Sequence, residues 1–136
     1  MNELFMRGIE EFNQQKFYAC HDTLEEIWLD SVEPDKTFYQ GILQIAVGCY
    51  HLSNSNWRGA VILLGEGSKK LREYEPDYFD IDVSKLLENS YNLLTSLQQI
   101  NPELVTEFYQ QLINNQLENN LSLPYIQNSD LTPVKN

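Results

Sequence analysis

The amino-acid sequence predicts an all-α protein, a single-domain antiparallel helical bundle of five to six helices. Three observations carry this. Apolar residues recur at helical spacing in successive segments. The stretch between Lys36 and Arg58 holds no charged side chain, which suits a helix buried on most of its circumference at the centre of a bundle. The breaks between segments are short and carry Asn, Ser and Pro, so consecutive helices are expected to lie antiparallel. The bundle is expected over residues 1–119, followed by a loosely ordered tail at 120–136 that contains two prolines and little pattern.

The first helix is expected over about Asn2 to Gln14, with Leu4, Phe5, Ile9 and Phe12 on one face. The second runs from about Phe17 to Asp30 with the stripe Phe17, Cys20, Leu24, Ile27 and Trp28. It stops at Ser31 to Pro34, because the residue before proline avoids the helical region. Asp35 reads as the N-cap of the third, which reaches about Ser53. Asn56 or Ser55 caps the fourth, about Trp57 to Tyr74, whose last turns carry Lys69, Lys70 and Arg72 where cations complement free carbonyls. An acidic, aromatic connector with Pro76 leads to a fifth helix starting at Asp82 or Ser84. Asn101-Pro102 restarts a sixth that runs to about Asn119. No strand is expected.

Composition narrows the function. Apolar residues make up 42%, enough for a globular core in a chain of 136 residues. The formal charge of −11 argues against nucleic acid and anionic membrane surfaces, both of which call for basic patches. The N-terminus lacks the basic and apolar regions of a signal peptide, and no apolar run approaches the ~18–20 residues of a membrane span. Cys20 and Cys49 sit within apolar helical patterns and do not make a disulfide framework, so a reduced, cytoplasmic setting is expected.

One run has distinctive chemistry: His21-x-x-x-Glu25-x-x-Trp28. At ~100° per residue, His21 and Trp28 fall on one shoulder of the apolar stripe and Glu25 at the border with solvent, while Asp22 and Glu26 point the opposite way. The third helix carries a polar stripe of Gln40, Gln44 and His51. If the two helices are antiparallel, Trp28 comes level with Gln40, Glu25 with Gln44, and His21 with the Gly48–His51 end. His21, Glu25, Trp28, Gln40, Gln44 and His51 are therefore the candidate ligand-binding residues. His21 and Glu25 are the candidate metal ligands, since imidazole and carboxylate one turn apart can grip a divalent ion; a structural site calls for about four protein ligands and a catalytic one about three. The same pair could serve as a base oriented by a carboxylate, or simply as a mutually satisfied structural pair.

The stretch from Phe12 to Trp28, continuing through Phe38-Tyr-Gln40 to His51 and Asn56-Trp-Arg-Gly59-Ala60, resembles the bacterial and archaeal family known as domain of unknown function 309. The resemblance covers about residues 5–95, with Asp80 standing where that family's pattern has glycine. It implies an all-helical bundle with the hallmark His-x3-Glu-x2-(Trp or Tyr), and a role for that hallmark in metal binding or another function; it brings no assigned activity. Three functions are then in competition. The first is a metal site at His21 and Glu25. The second is a helical protein-interaction module, which an apolar groove bordered by Tyr18, Tyr39 or Tyr50 would favour. The third is a small-molecule pocket lined by His21, Glu25, Trp28 and Gln44. A homodimer is a further possible assembly.

Overall fold

The computed structural model describes residues 2–129. It is an all-α bundle with six α-helices among the described residues: α1 (Glu3–Asn13), α2 (Phe17–Leu29), α3 (Asp35–Ser53), α4 (Trp57–Leu71), α5 (Val83–Gln99) and α6 (Val105–Ile113). A two-residue hairpin, β1 (Asp77–Tyr78) and β2 (Ile81–Asp82), joins α4 to α5. Each of α1 to α4 packs on its successor in the chain, α4 on α5, and α6 closes back on α3.

Side-chain N-caps start three of the six α-helices, α1, α4 and α5. Asn2 Oδ1 accepts the amides of Leu4 (2.7 Å) and Phe5 (3.3 Å); Asn56 Oδ1 accepts Gly59 N at 2.9 Å; Asp82 Oδ1 accepts Lys85 N at 2.9 Å. At α3 the expected cap is displaced. Glu33 rather than Asp35 takes the Thr37 amide (3.0 Å) and hydroxyl (2.7 Å), and Asp35 accepts the hydroxyl of Tyr78 instead. These bonds hold the Glu33 carboxyl below its usual range.

The third helix, without Asp, Glu, Lys or Arg after Lys36, is the centre of the molecule. Phe38, Tyr39, Ile42, Ile45, Ala46, Cys49 and Leu52 are all buried, each large aliphatic or aromatic side chain contributing roughly 1.5–3 kcal/mol. Its two sides differ. Towards α4 the backbones approach closely: a Cβ on Gly67 would meet the Gly41 carbonyl oxygen at 2.6 Å and Ile45 N at 2.9 Å, and one on Gly48 would meet Leu64 N at 3.0 Å. Towards α2 the contact is made by large side chains.

Three expectations need correcting. The sixth helix ends at Ile113, not near Asn119, because Asn115 takes a positive φ of 55° that a helix cannot continue through. A short hairpin exists where no strand was expected; its two-residue loop, Phe79 and Asp80, has φ of 48° and 62°, the left-handed pair that such loops use. The tail from Asn120 is not loose over residues 121–129. Leu123 and Ile126 are buried, and Asn13 acts as a strand partner to Ile126, donating to its carbonyl at 2.8 Å and accepting its amide at 2.7 Å. Asp82 N then donates to Gln127 O (2.9 Å) and Ser129 N to Asp80 O (2.8 Å). The rest of the expected tail, residues 130–136, lies outside the described residues.

Candidate functional site

Helices α2 and α3 each bring an aromatic and a histidine to one opening: Tyr18 and His21, a turn apart on α2, and Tyr50 and His51, consecutive on α3. Together with Phe17 and Val47 they line a half-open apolar cavity of about 210 Å³. The Tyr18 and Tyr50 rings meet edge to face at 5.3 Å across the helix pair, Tyr18 lies 6.0 Å from the His21 ring, and Tyr50 lies 6.3 Å from His51. Phe17 is buried at the base, whereas Tyr18 is 58% exposed.

The rim is acidic beside His21. Its Nδ1 is 3.3 Å from Asp22 Oδ1, and its Nε2 is 3.9 Å from Glu25 Oε2. The His21 side chain is 27% exposed against 50% for Glu25, which puts the imidazole at the groove and the carboxylate at the solvent border. Asp22, expected on the far side of the helix, reaches the imidazole more closely than Glu25 because adjacent residues can bridge through side-chain rotation. At the other end, Asn56 Nδ2 and His51 Nδ1 are 3.3 Å apart, and a Cβ on Gly59 would meet the His51 ring at 2.8 Å, so that imidazole is packed against the start of α4.

The remaining candidates do not join this cluster. Gln44 is turned towards α4, where its Nε2 donates to Glu66 Oε1 at 3.5 Å, and it does not meet Glu25. Trp28 lies about two turns beyond His21; its ring carries the Lys36 ammonium at 4.6 Å and its buried Nε1 has no hydrogen-bond partner among the described residues. Gln40 is half-buried and does not line the groove. A pocket built from His21, Glu25, Trp28 and Gln44 is therefore not what the helices make. Among the described residues no three His, Cys, Asp or Glu side chains gather where they could hold a metal ion, so the His21–Glu25 pair has no third ligand. The helical wheel located His21 and Glu25 around α2 but could not say which neighbour a polar side chain on α3 faces. Tyr18 and His21, one turn apart on α2, are the groove's local signal; Tyr50 and His51 are consecutive and carry none.

Behind the groove the helix pair is sealed. Burial pushes the Cys20 thiol up to about 12, with a smaller push from the Glu11 carboxylate, and burial raises Cys49 as well, with Cys20 adding to it. Both thiols are buried and unpaired, so neither is an activated nucleophile. Among the described residues no helix is long and apolar enough to cross a membrane.

Comparison with known proteins agrees with the helical segment that builds the groove. No solved structure matches the chain. It is 26% identical over 95 residues to the uncharacterized protein YpuF of Bacillus subtilis (strain 168), an alignment that covers 68% of this chain and 55% of that protein. The chain thus spans about half the length of the curated relative it matches. Residues 5–63, from α1 into α4, match the family model described as Domain of unknown function (DUF309), a shorter reach than the resemblance suggested. Through that segment, which carries both walls of the groove, the chain is similar to the DUF309 family.

Proposed function

We propose that this protein is a docking module whose α2–α3 groove takes apolar side chains from a basic, amphipathic segment of a partner protein. The observation that carries this reading is the apolar groove itself, bordered by the exposed Tyr18 ring and by Tyr50. Its volume separates two of the competing functions. Pockets for whole small molecules run from about 300 to 1,000 Å³; a half-open cavity of about 210 Å³ is smaller and suits one or two anchoring side chains. Tyrosines supply much contact area at low entropic cost, as anchors at interfaces do.

Charge supports the nature of the partner. The groove is apolar inside, while Asp22 and Glu25 stand at its rim and the chain carries −11 overall. Lys or Arg beside the inserted side chain meets those carboxylates, steers the encounter and adds the salt dependence expected of rim charges. The His21 imidazole, held beside two carboxylates, forms part of the wall on this reading and not a metal clamp.

The test is fluorescence anisotropy with a labelled synthetic Leu/Lys helix, set against a scrambled peptide of the same composition that has no apolar face. The amphipathic probe is expected to bind saturably and the scrambled one at least tenfold more weakly. Val47→Glu puts a charge inside the groove and is expected to abolish the difference without loss of helicity by circular dichroism. Equal binding of both peptides, or amphipathic binding unchanged by Val47→Glu, would overturn the proposal.

A further inference from the structure

A second cavity, of about 300 Å³, opens on the other side of the molecule between the start of α1, the start of α3 and the hairpin loop. Its lining is aromatic and acidic: Phe5, Tyr39 and Phe79, with Asn2 and Asp80 at the same opening. Tyr39 and Phe79 lie nearly parallel, 26° between planes with centroids 6.0 Å apart. Phe5 turns its ring at 63° to Tyr39 (5.4 Å) and at 66° to Phe79 (6.3 Å). Phe5 and Tyr39 are buried walls; Phe79 is 38% exposed and forms the outer one.

The outer wall is held in an unfavourable backbone conformation. Phe79 has φ of 48° at the first position of the hairpin loop, a place where Asn or Gly sits easily and a bulky L-residue costs of order 1–2 kcal/mol. Asp80 follows with φ of 62°, which a short polar side chain tolerates. The strain at Phe79 is offset by its ring contacts, with centroids 4.5 Å from Tyr78 and 5.7 Å from Phe38 besides those to Phe5 and Tyr39. The result is a cavity lined by a cluster of three mutually packed rings and bordered by a carboxylate that has no ion-pair partner among the described residues.

We infer that the Phe5–Tyr39–Phe79 cavity is a binding site for an alkylated ammonium group, with the three rings providing cation–π contacts and Asp80 the counter-charge. An aromatic face attracts a cation within about 6 Å of its centroid, and a fully alkylated ammonium is the cation that gives up water most readily and has no N–H to satisfy. The size fits: the volume is at the lower end for a small ligand and ample for a trimethylammonium head. A neutral apolar group of the same shape would gain from the rings but leave Asp80 unpaired, and the −11 charge of the chain favours cations at the entrance. The same head group can arrive as a free small molecule such as choline or as a trimethylated lysine in a protein. This site uses none of the α2–α3 groove residues and stands or falls independently of that docking.

The experiment is an aromatic 1H–13C NMR titration of the full chain at constant ionic strength with tetramethylammonium chloride, with neopentyl alcohol as the neutral isostere. Saturable shifts are expected at Phe5, Tyr39 and Phe79, with the alcohol binding at least tenfold more weakly. Asp80→Asn keeps a side chain that accepts the left-handed backbone and is expected to weaken the cation about three- to tenfold at unchanged melting temperature. Phe79→Leu keeps an apolar contact but removes the π-face, and should weaken it similarly. Choline and a trimethyllysine peptide, run in parallel, separate the two sources by which of them binds more tightly than tetramethylammonium. Equal affinity for the neutral isostere, shifts located away from the three rings, or cation binding that survives both substitutions would overturn the assignment; Val47→Glu should leave it untouched.

Discussion

The two sides of α3 do opposite things. Towards α4 the helix presents Gly41 and Gly48, and the backbones come so close that a single added Cβ on Gly67 would press on a carbonyl oxygen at 2.6 Å. Towards α2 it presents Val47 and Tyr50, which line an open groove with Phe17, Tyr18 and His21. One helix thus has a face that excludes everything and a face that leaves room. The close-packed face can hold the bundle while the open one is free to vary in occupancy, because the energy of the fold is not spent on the groove.

The sharpest way to break this contrast is to add one methyl group. Gly67→Ala forces the α3 and α4 backbones to move and is expected to lower stability by about 1–3 kcal/mol, read as a shift in the urea midpoint. Tyr18→Ala, on the open face, should cost less than about 1 kcal/mol because that ring is 58% exposed, while weakening the amphipathic probe severalfold. If the two substitutions destabilise equally, the division of labour between the faces is wrong.

The seal behind the groove has its own signature in pH. Cys20 is raised to about 12 and Cys49 is raised too, both mainly by burial. In the unfolded chain each thiol ionises near its ordinary value, around 8.5, while the folded forms stay protonated. The unfolded state therefore loses protons first, and stability that is complete below the unfolded value falls as pH rises towards the folded one. Between about pH 9 and 12 the slope contributed is about 1.4 kcal/mol per pH unit for each thiol, measurable by urea titration against a Cys20→Ala/Cys49→Ala chain. At pH 8 neither thiol should react with an aromatic disulfide reagent faster than the protein unfolds. The smallest effect is expected at the rim: Glu25→Ala removes a half-exposed partner 3.9 Å from His21 and should change stability by under about 0.5 kcal/mol.

How far these features could be read from residues alone depended on how local their causes are. The spans of α1 to α4 followed from the apolar stripes, from Pro34 and from Asn56, because helix periodicity and capping are decided within a turn or two. His21 and Glu25 fell where the wheel placed them. Gln44 did not, since it had α2 and α4 to choose between and the facing Glu66 lies 22 positions away. The Asp35 cap was lost to a tyrosine 43 positions on, and the aromatic cavity depends on a loop residue, Phe79, meeting Phe5 across about half of the chain. Long-range partners of this kind leave no periodic trace.

The pairing of Asn13 with Ile126 spans 113 positions. A helical bundle of neighbours folds quickly because its contacts are local, but this clasp closes almost the longest loop the chain offers. During synthesis, α1 through α5 can assemble while the segment around Ile126 is still being made, so the clasp is the last element to form. It also joins the end of α1, inside the family segment, to a stretch beyond it, so that fraying at Ile126 would loosen the first helix before any other.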